Sequence, residues 1–181
     1  WRKYIFKDTY LQTQHNINIS GGTDRVRYFT SLGYLYQDGM IKQFDKLDYD
    51  NKFSYNRFNY RANLDIDVTK TTLFKINIGG RVGVTHEPRG HSDGLWRQVN
   101  WASPFASPGL SKDGYPIEIG KGYLPVALKT GLAAFYGLGY SEKTKNDLNI
   151  DIAVEQKLDF ITKGLRFEGR FGFDINNDNE I

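Results

Sequence analysis

The residues best suited to holding a ligand fall in one stretch. Trp96, Trp101, Phe105, Tyr115 and Tyr123 lie within positions 87–144, and His86, Arg89, His91 and Asp93 stand near its start. An aromatic face stacks on a sugar ring, while Arg, Asp and Asn bond its hydroxyls. The same aromatics also suit packing within a long loop or contact with a partner. The candidate ligand-binding residues are Trp96, Trp101, Tyr115, Tyr123, Arg89 and Asp93.

Other constellations carry less chemistry. His86, Glu87 and His91 do not have H-E-x-x-H spacing, and Pro88 and Gly90 argue against a helix that would align them as metal ligands. Asp45, Asp48, Asp50 and Asn51 lack the glycine and the distant glutamate of an EF-hand loop, and read as solvated loop acids. Gly120-Lys121-Gly122 lacks both the spacing of a phosphate-binding loop and the Ser/Thr that follows it. Cysteine is absent, which excludes thiolate metal sites, disulfides and cysteine nucleophiles. No Ser/His/Asp order and no distinct carboxylate pair stand out. The sequence therefore gives no basis for an enzyme, a metal site or a cofactor. The net charge of +3, from 24 basic and 21 acidic residues, is too balanced to imply nucleic acid.

The elements that position these residues are strands. Aromatics make up 15% of the chain, yet its mean hydropathy is −0.55. Many rings in a polar chain suit a β protein in which every second residue is polar. From Tyr55 to Val68 the odd positions are polar from Arg57 to Asp67, while Phe58, Tyr60, Ala62, Leu64, Ile66 and Val68 occupy the even ones. The next segment places Phe74, Ile76, Ile78, Val82 and Val84 on one face and Lys75, Asn77 and Arg81 on the other. Similar alternation predicts six strands, at 12–20, 25–37, 55–68, 72–86, 145–158 and 164–176. They form hairpins at 12–37, 55–86 and 145–176. Phe29 and Leu35 break the pattern by falling on the polar face.

These strands exceed the roughly 5–6 residues of a typical globular strand, and a tilted membrane strand needs about 9–11. Short turns alternate with long links at 38–54 and 87–144, which is the layout of an outer-membrane barrel. On the apolar face, Tyr34, Tyr36, Phe58 and Tyr60 lie toward the first long loop, Tyr28 and Phe74 lie toward the short turns, and smaller aliphatics lie between. This is the girdle of a lipid-facing wall, although 145–158 contributes no such aromatic. The opposite face would line a lumen. It holds Arg25, Arg27, Arg57, Arg61, Lys75, Arg81, Arg166 and Arg170, with Asp65, Asp67, Asp147, Asp151, Glu155 and Glu168. A soluble β-sandwich carbohydrate-binding module would instead bury the apolar face. An adhesin or enzyme barrel remains a further alternative.

Two segments carry a family resemblance. Arg25-Val26-Arg27-Tyr28-Phe29-Thr30-Ser31-Leu32-Gly33-Tyr34-Leu35-Tyr36-Gln37-Asp38-Gly39 resembles the early-barrel signature of SusC/RagA-type TonB-dependent transporters of Bacteroidota, and it follows His15-Asn16 and the Ser20-Gly21-Gly22 turn. The run from Tyr55 to Asp65 is similar to that family's next strand, and Gly164-Leu165-Arg166-Phe167 to a later strand start. Trp1 to Phe6 resembles the first outer loop after the plug. The resemblance implies an all-β fold, an antiparallel transmembrane barrel of about 22 strands around a plug, of which this chain supplies six. It also implies import of oligosaccharides or peptides across the outer membrane of a Gram-negative cell, with a SusD-like surface lipoprotein as partner and TonB acting through a plug outside this chain. Both ends read as cut from a longer chain. No signal peptide is visible, and six strands fall short of the eight or so that close a barrel.

Overall fold

The computed structural model describes residues 2–43, 46, 48–89, 100, 110–115, 117 and 139–181. Its dominant element is a six-stranded antiparallel sheet whose strands neighbour one another in chain order. The strands are β1 (Gln12–Gly22), β2 (Val26–Asp38), β3 (Ser54–Asp67), β4 (Thr72–Pro88), β5 (Tyr140–Lys157) and β6 (Arg166–Glu180), preceded by one short helix, α1 (Arg2–Ile5). No described helix is long and apolar enough to cross a membrane, which says nothing of strands.

The register carries the alternation of each strand into its neighbour. Thr30 faces Ala62, Ala62 faces Ile78, Ile78 faces Ile150 and Ile150 faces Phe173. One row lower, Tyr28, Leu64, Ile76, Ile152 and Phe171 align in the same way. A slip of one residue would carry every apolar side chain of a strand to the other face, so the shared alternation fixes the pairing.

Three short turns close one end of the sheet. In the first, the Thr23 amide donates to the Val26 carbonyl at 2.7 Å. In the second, Thr69 Oγ1 accepts from the amides of Thr71 and Thr72 at 3.2 and 2.9 Å. In the third, Gly164 takes φ +84°, a left-handed conformation that disfavours a side chain, and its amide donates to Asp159 Oδ1 at 2.7 Å. At the opposite end, the Lys7 amide donates to the Met40 carbonyl and the Lys42 amide to the Ile5 carbonyl. These bonds fold the N-terminal segment onto the link after β2, where Ile5 and Ile41 are buried.

Among the described residues, the apolar face is not a protein interior. Ile17 is 64% exposed, Leu32 55% and Phe171 66%, and among the described residues no second layer covers them. The few buried apolar side chains lie at the rim (Ile5, Ile41) or on the polar face (Leu35, Ala153). A sandwich would have dried this face.

Two strands run further than the alternation suggested. The β4–β5 ladder continues to Pro88 opposite Tyr140. The alternation ended this strand at 86, and the added Pro88 sits in the last pair of the ladder, where its missing N–H costs little. The extension places Tyr140 at the long-loop end of β5, the rim aromatic that 145–158 lacked. Similarly, the last strand was expected to end at 176, yet Asn177 to Glu180 pair with β5, where Asn177 meets Asn146 and Asp178 meets Lys145. Partner strands override the weak β-propensity of Asn and Asp.

Candidate functional site

The polar face is the concave one. A recess of about 660 Å³ runs across it, bordered by residues of every strand, among them Asn16, Ser31, Arg61, Gly79, Asp147 and Asn176. One hollow that reaches both edge strands requires the sheet to curl toward this side. Glycines deepen it, since Gly33 and Gly79 present bare backbone to the hollow.

Charge on this face is largely paired along the length of the strands, with Lys143 meeting Glu87 at 2.9 Å and Lys145 meeting Asp178 at 3.3 Å near the long-loop end. Arg27 meets Asp67 at 2.7 Å and Asp65 at 3.9 Å. Glu155 accepts from Lys75 at 3.2 Å and pairs with Arg166 at 2.9 Å, so one carboxylate bridges β4 and β6. Arg81 is bonded to Asp147 across β4 and β5, and Arg170 meets Glu168 within β6 at 3.1 Å. The middle of the face also carries amides and hydroxyls: Asn149 donates to Asp174 at 2.6 Å, and Ser31 donates to Asn18 at 2.7 Å. Arg61 and Asp151 have no ion pair among the described residues. Arg57 Nε is buried without a hydrogen-bond partner.

Eight of the fourteen residues expected to line a lumen show, strand by strand, that they share one face. Arg57 and Arg61 lie on β3 with Asp65, Arg81 on β4, Asp151 and Glu155 on β5, and Arg166 and Arg170 on β6. The loop candidates fare differently. Trp96, Trp101, Tyr123 and Asp93 lie outside the described residues. Arg89 is exposed at the end of β4, with its amide donating to the Gly139 carbonyl at 2.9 Å. Tyr115 is 53% exposed and closes a tight turn in which its amide donates to Ser111 Oγ at 3.0 Å. The structure does not bring Arg89 and Tyr115 into one described site.

Sequence reasoning missed a cluster at the long-loop rim. The His86 ring stacks on Tyr140 with centroids 4.9 Å apart, and its Nε2–H donates to the Asp50 carbonyl at 2.8 Å. Tyr49 lies 6.4 Å from Tyr140, and its hydroxyl accepts from the Gly139 amide at 3.1 Å. The link between β2 and β3 is thereby latched to the mouth of the longer one. The sequence pointed to His86 as a residue near the ligand-suited stretch and as a possible metal ligand, not as part of a latch. Among the described residues no three His, Cys, Asp or Glu side chains group as a metal site.

The same latch sets the charge state of its acid. Burial acts to raise the Asp50 carboxyl, but the Lys52 amide and ammonium, with His86, outweigh it and hold it below the ordinary carboxylate value. Lys52 is raised in turn, first by its hydrogen bond to Asp50 and then by the carboxylate charge. A carboxyl held low by the fold contributes stability above its unfolded value and loses that contribution as pH falls through its folded value. The raised ammonium contributes below its unfolded value and loses that contribution as pH rises through its folded one. The Asp50–Lys52 contact should therefore persist across neutral pH and fail in acid below the ordinary aspartate range. A carboxyl NMR titration should give Asp50 a depressed midpoint that rises toward the ordinary value in Lys52→Ala. A midpoint above the ordinary value in the unsubstituted protein would contradict this account.

No family model matches the chain, and no curated protein matches it. A solved structure does. The chain aligns with one in the structure of the RagAB peptide importer in the "closed-closed" state at a TM-score of 0.66 and 19% identity. The alignment covers 99% of this chain and 19% of that one, so the chain spans about a fifth of the length of the protein it resembles. At that identity the likeness is one of fold: an all-β, antiparallel sheet of the kind that walls a barrel.

Proposed function

We propose that this chain is part of the wall of an outer-membrane, TonB-dependent transporter that imports oligosaccharides or peptides with a SusD-like surface lipoprotein. One observation carries the reading: among the described residues, an apolar face continuous and in register across six strands is uncovered on the convex side, while the ionic face lines the concave side. Water would penalise such a face by about 25 cal/mol per Å² of apolar surface, and lipid removes that penalty. The concave charges and amides then face a wet or plugged lumen. The likeness in fold to a chain of a peptide importer supports transport over adhesion or catalysis.

The sheet's own edges support a larger barrel. Among the described residues β1 and β6 each have one neighbour, and an open edge in lipid leaves backbone groups unpaired at several kcal/mol each. In the reading proposed here, further strands of the same protein pair with both edges, the short turns face the periplasm and the latched loops face outward.

The experiment is fractionation of the full-length protein expressed in a Gram-negative host. It should sediment with outer membranes, require detergent for extraction and run faster on gels before boiling than after. Recovery as a folded, detergent-free soluble protein would overturn the barrel. Sequencing upstream of Trp1 tests import separately: a plug-like domain with a TonB-contacting segment is expected, and its absence would leave a barrel without that function.

A further inference from the structure

The turn between β5 and β6 differs from the other two short turns. Its tip carries Phe160, 79% exposed, and Ile161, 63% exposed, where the other tips hold Thr23 with Asp24 and Thr69 with Lys70. The tip is closed by its own backbone: the Ile161 amide donates to the Leu158 carbonyl at 2.8 Å, and the Gly164 amide to Asp159 Oδ1. Two large apolar side chains held out at the apex of a bonded turn carry a hydration cost unless something covers them.

The register gives the depth of that apex. The three hairpins end their ladders at Gly22–Arg27, Asp67–Leu73 and Lys157–Arg166. Arg27 is level with Asp65, two residues short of Asp67. The Lys157 amide donates to the Thr71 carbonyl, two residues past Leu73. Each hairpin therefore closes two residues beyond the one before, about 6.6 Å along the strands for about 9.6 Å across them. That step matches a strand tilt of about 35°, within the range of a membrane barrel, so the three ladder ends lie in one plane parallel to the membrane. The spans beyond it are 23–26, 68–72 and 158–165. The longer third turn reaches about 5 Å further than the first, which is no more than the thickness of one headgroup layer.

The side from which the apex is reached is the convex one. Leu158 and Leu165 are joined by a backbone bond at 2.9 Å, and by alternation they continue the apolar stripe of Val154 and Phe167 to the base of the turn. Lys163, beside the apex, is exposed and has no salt bridge among the described residues. A periplasmic protein would need the apex clear of the headgroups, and a group inside the lumen would need it on the ionic side. Apolar tip, apolar base and a free ammonium together fit a lipid interface.

We propose that the β5–β6 turn is a membrane-interface anchor: Phe160 and Ile161 enter the headgroup layer of the periplasmic leaflet, and Lys163 meets lipid phosphates there. The inference rests on the barrel reading above and adds a point of attachment that sets how deep this part of the wall sits. The other two turns, with polar tips, remain in water.

The test uses the full-length protein in vesicles of phosphatidylethanolamine and phosphatidylglycerol, with any cysteine outside this chain replaced by serine. This chain has none, so Phe160→Cys and, as the water reference, Lys70→Cys each introduce one thiol for a nitrobenzoxadiazole label. A phospholipid with a nitroxide near its headgroup should quench the label at 160 about threefold more than the label at 70, and iodide on both sides of the bilayer should quench it about threefold less. Equal quenching of the two labels by both agents would put the apex in water and overturn the anchor. A label at 160 shielded from both agents would mean that protein covers the apex, and overturns it as well. Where Phe160→Cys does not fold, Ile161→Cys is read by the same criteria. Failure of the barrel reading would register separately, as a protein that folds without detergent.

Discussion

Lysine at Ile78 or Ile150 is expected to cost about 2–4 kcal/mol of stability in a bilayer, while lysine at the adjacent Asn77 or Asn149 is expected to cost less than about 0.5 kcal/mol. Ile78 and Ile150 face each other in the middle row of the apolar face, with Ala62 and Phe173 beyond them. In lipid, an ammonium there has neither water nor an acidic neighbour, and at mid-depth the side chain is furthest from both interfaces. Asn77 and Asn149 sit one position away on the concave side, where Asp151 and Asp174 already stand and water reaches. The measurement is reversible unfolding in urea of the full-length protein in lipid vesicles, followed by gel migration of unheated samples. Equal losses at both pairs of positions would mean that the two faces do not meet different media.

That contrast between neighbours was legible before any coordinates existed, because period-two alternation is local and strong. Leu64, Ile76 and Ile150 could be assigned to one face from their spacing alone. Strand ends were less legible. The alternation ended at 86 and at 176, and pairing with β5 carried the ladder on to Pro88 and to Glu180. The rim latch was illegible because His86, Asp50, Tyr49 and Tyr140 are separated by up to 91 positions and meet only through register and loop closure. The places of Phe29 and Leu35 on the polar face were plain from parity, but nothing local shows that Leu35 is buried. The asparagines of the concave face were also visible in the alternation, although attention went to the charges beside them.

The second large effect concerns two adjacent glycines with opposite expected outcomes. Gly80→Ala is expected to destabilise the protein by about 1–3 kcal/mol, and Gly80→Val by more. A Cβ at Gly80 would meet the Asp147 carbonyl oxygen closer than any real contact, and would lie 2.5 Å from the Tyr60 hydroxyl and 2.6 Å from the ring carbon that bears it. The tyrosine can swing away, but the carbonyl belongs to the neighbouring strand and can move only if the β4–β5 ladder opens. Tyr60→Leu combined with Gly80→Ala should therefore fail to restore stability. At Gly79, the nearest atom to an added Cβ is the Tyr60 carbonyl oxygen at 3.9 Å, an ordinary contact. Gly79→Ala has no clash to relieve and limits the unfolded chain, so it should be neutral or stabilising by about 0.4–1 kcal/mol. Denaturant midpoints of the two single variants decide the matter. Similar losses at both positions would show that glycine is required here for backbone flexibility rather than for the close approach of β5, and a rescued double variant would show that the Tyr60 ring, not the Asp147 backbone, is what excludes a side chain at Gly80.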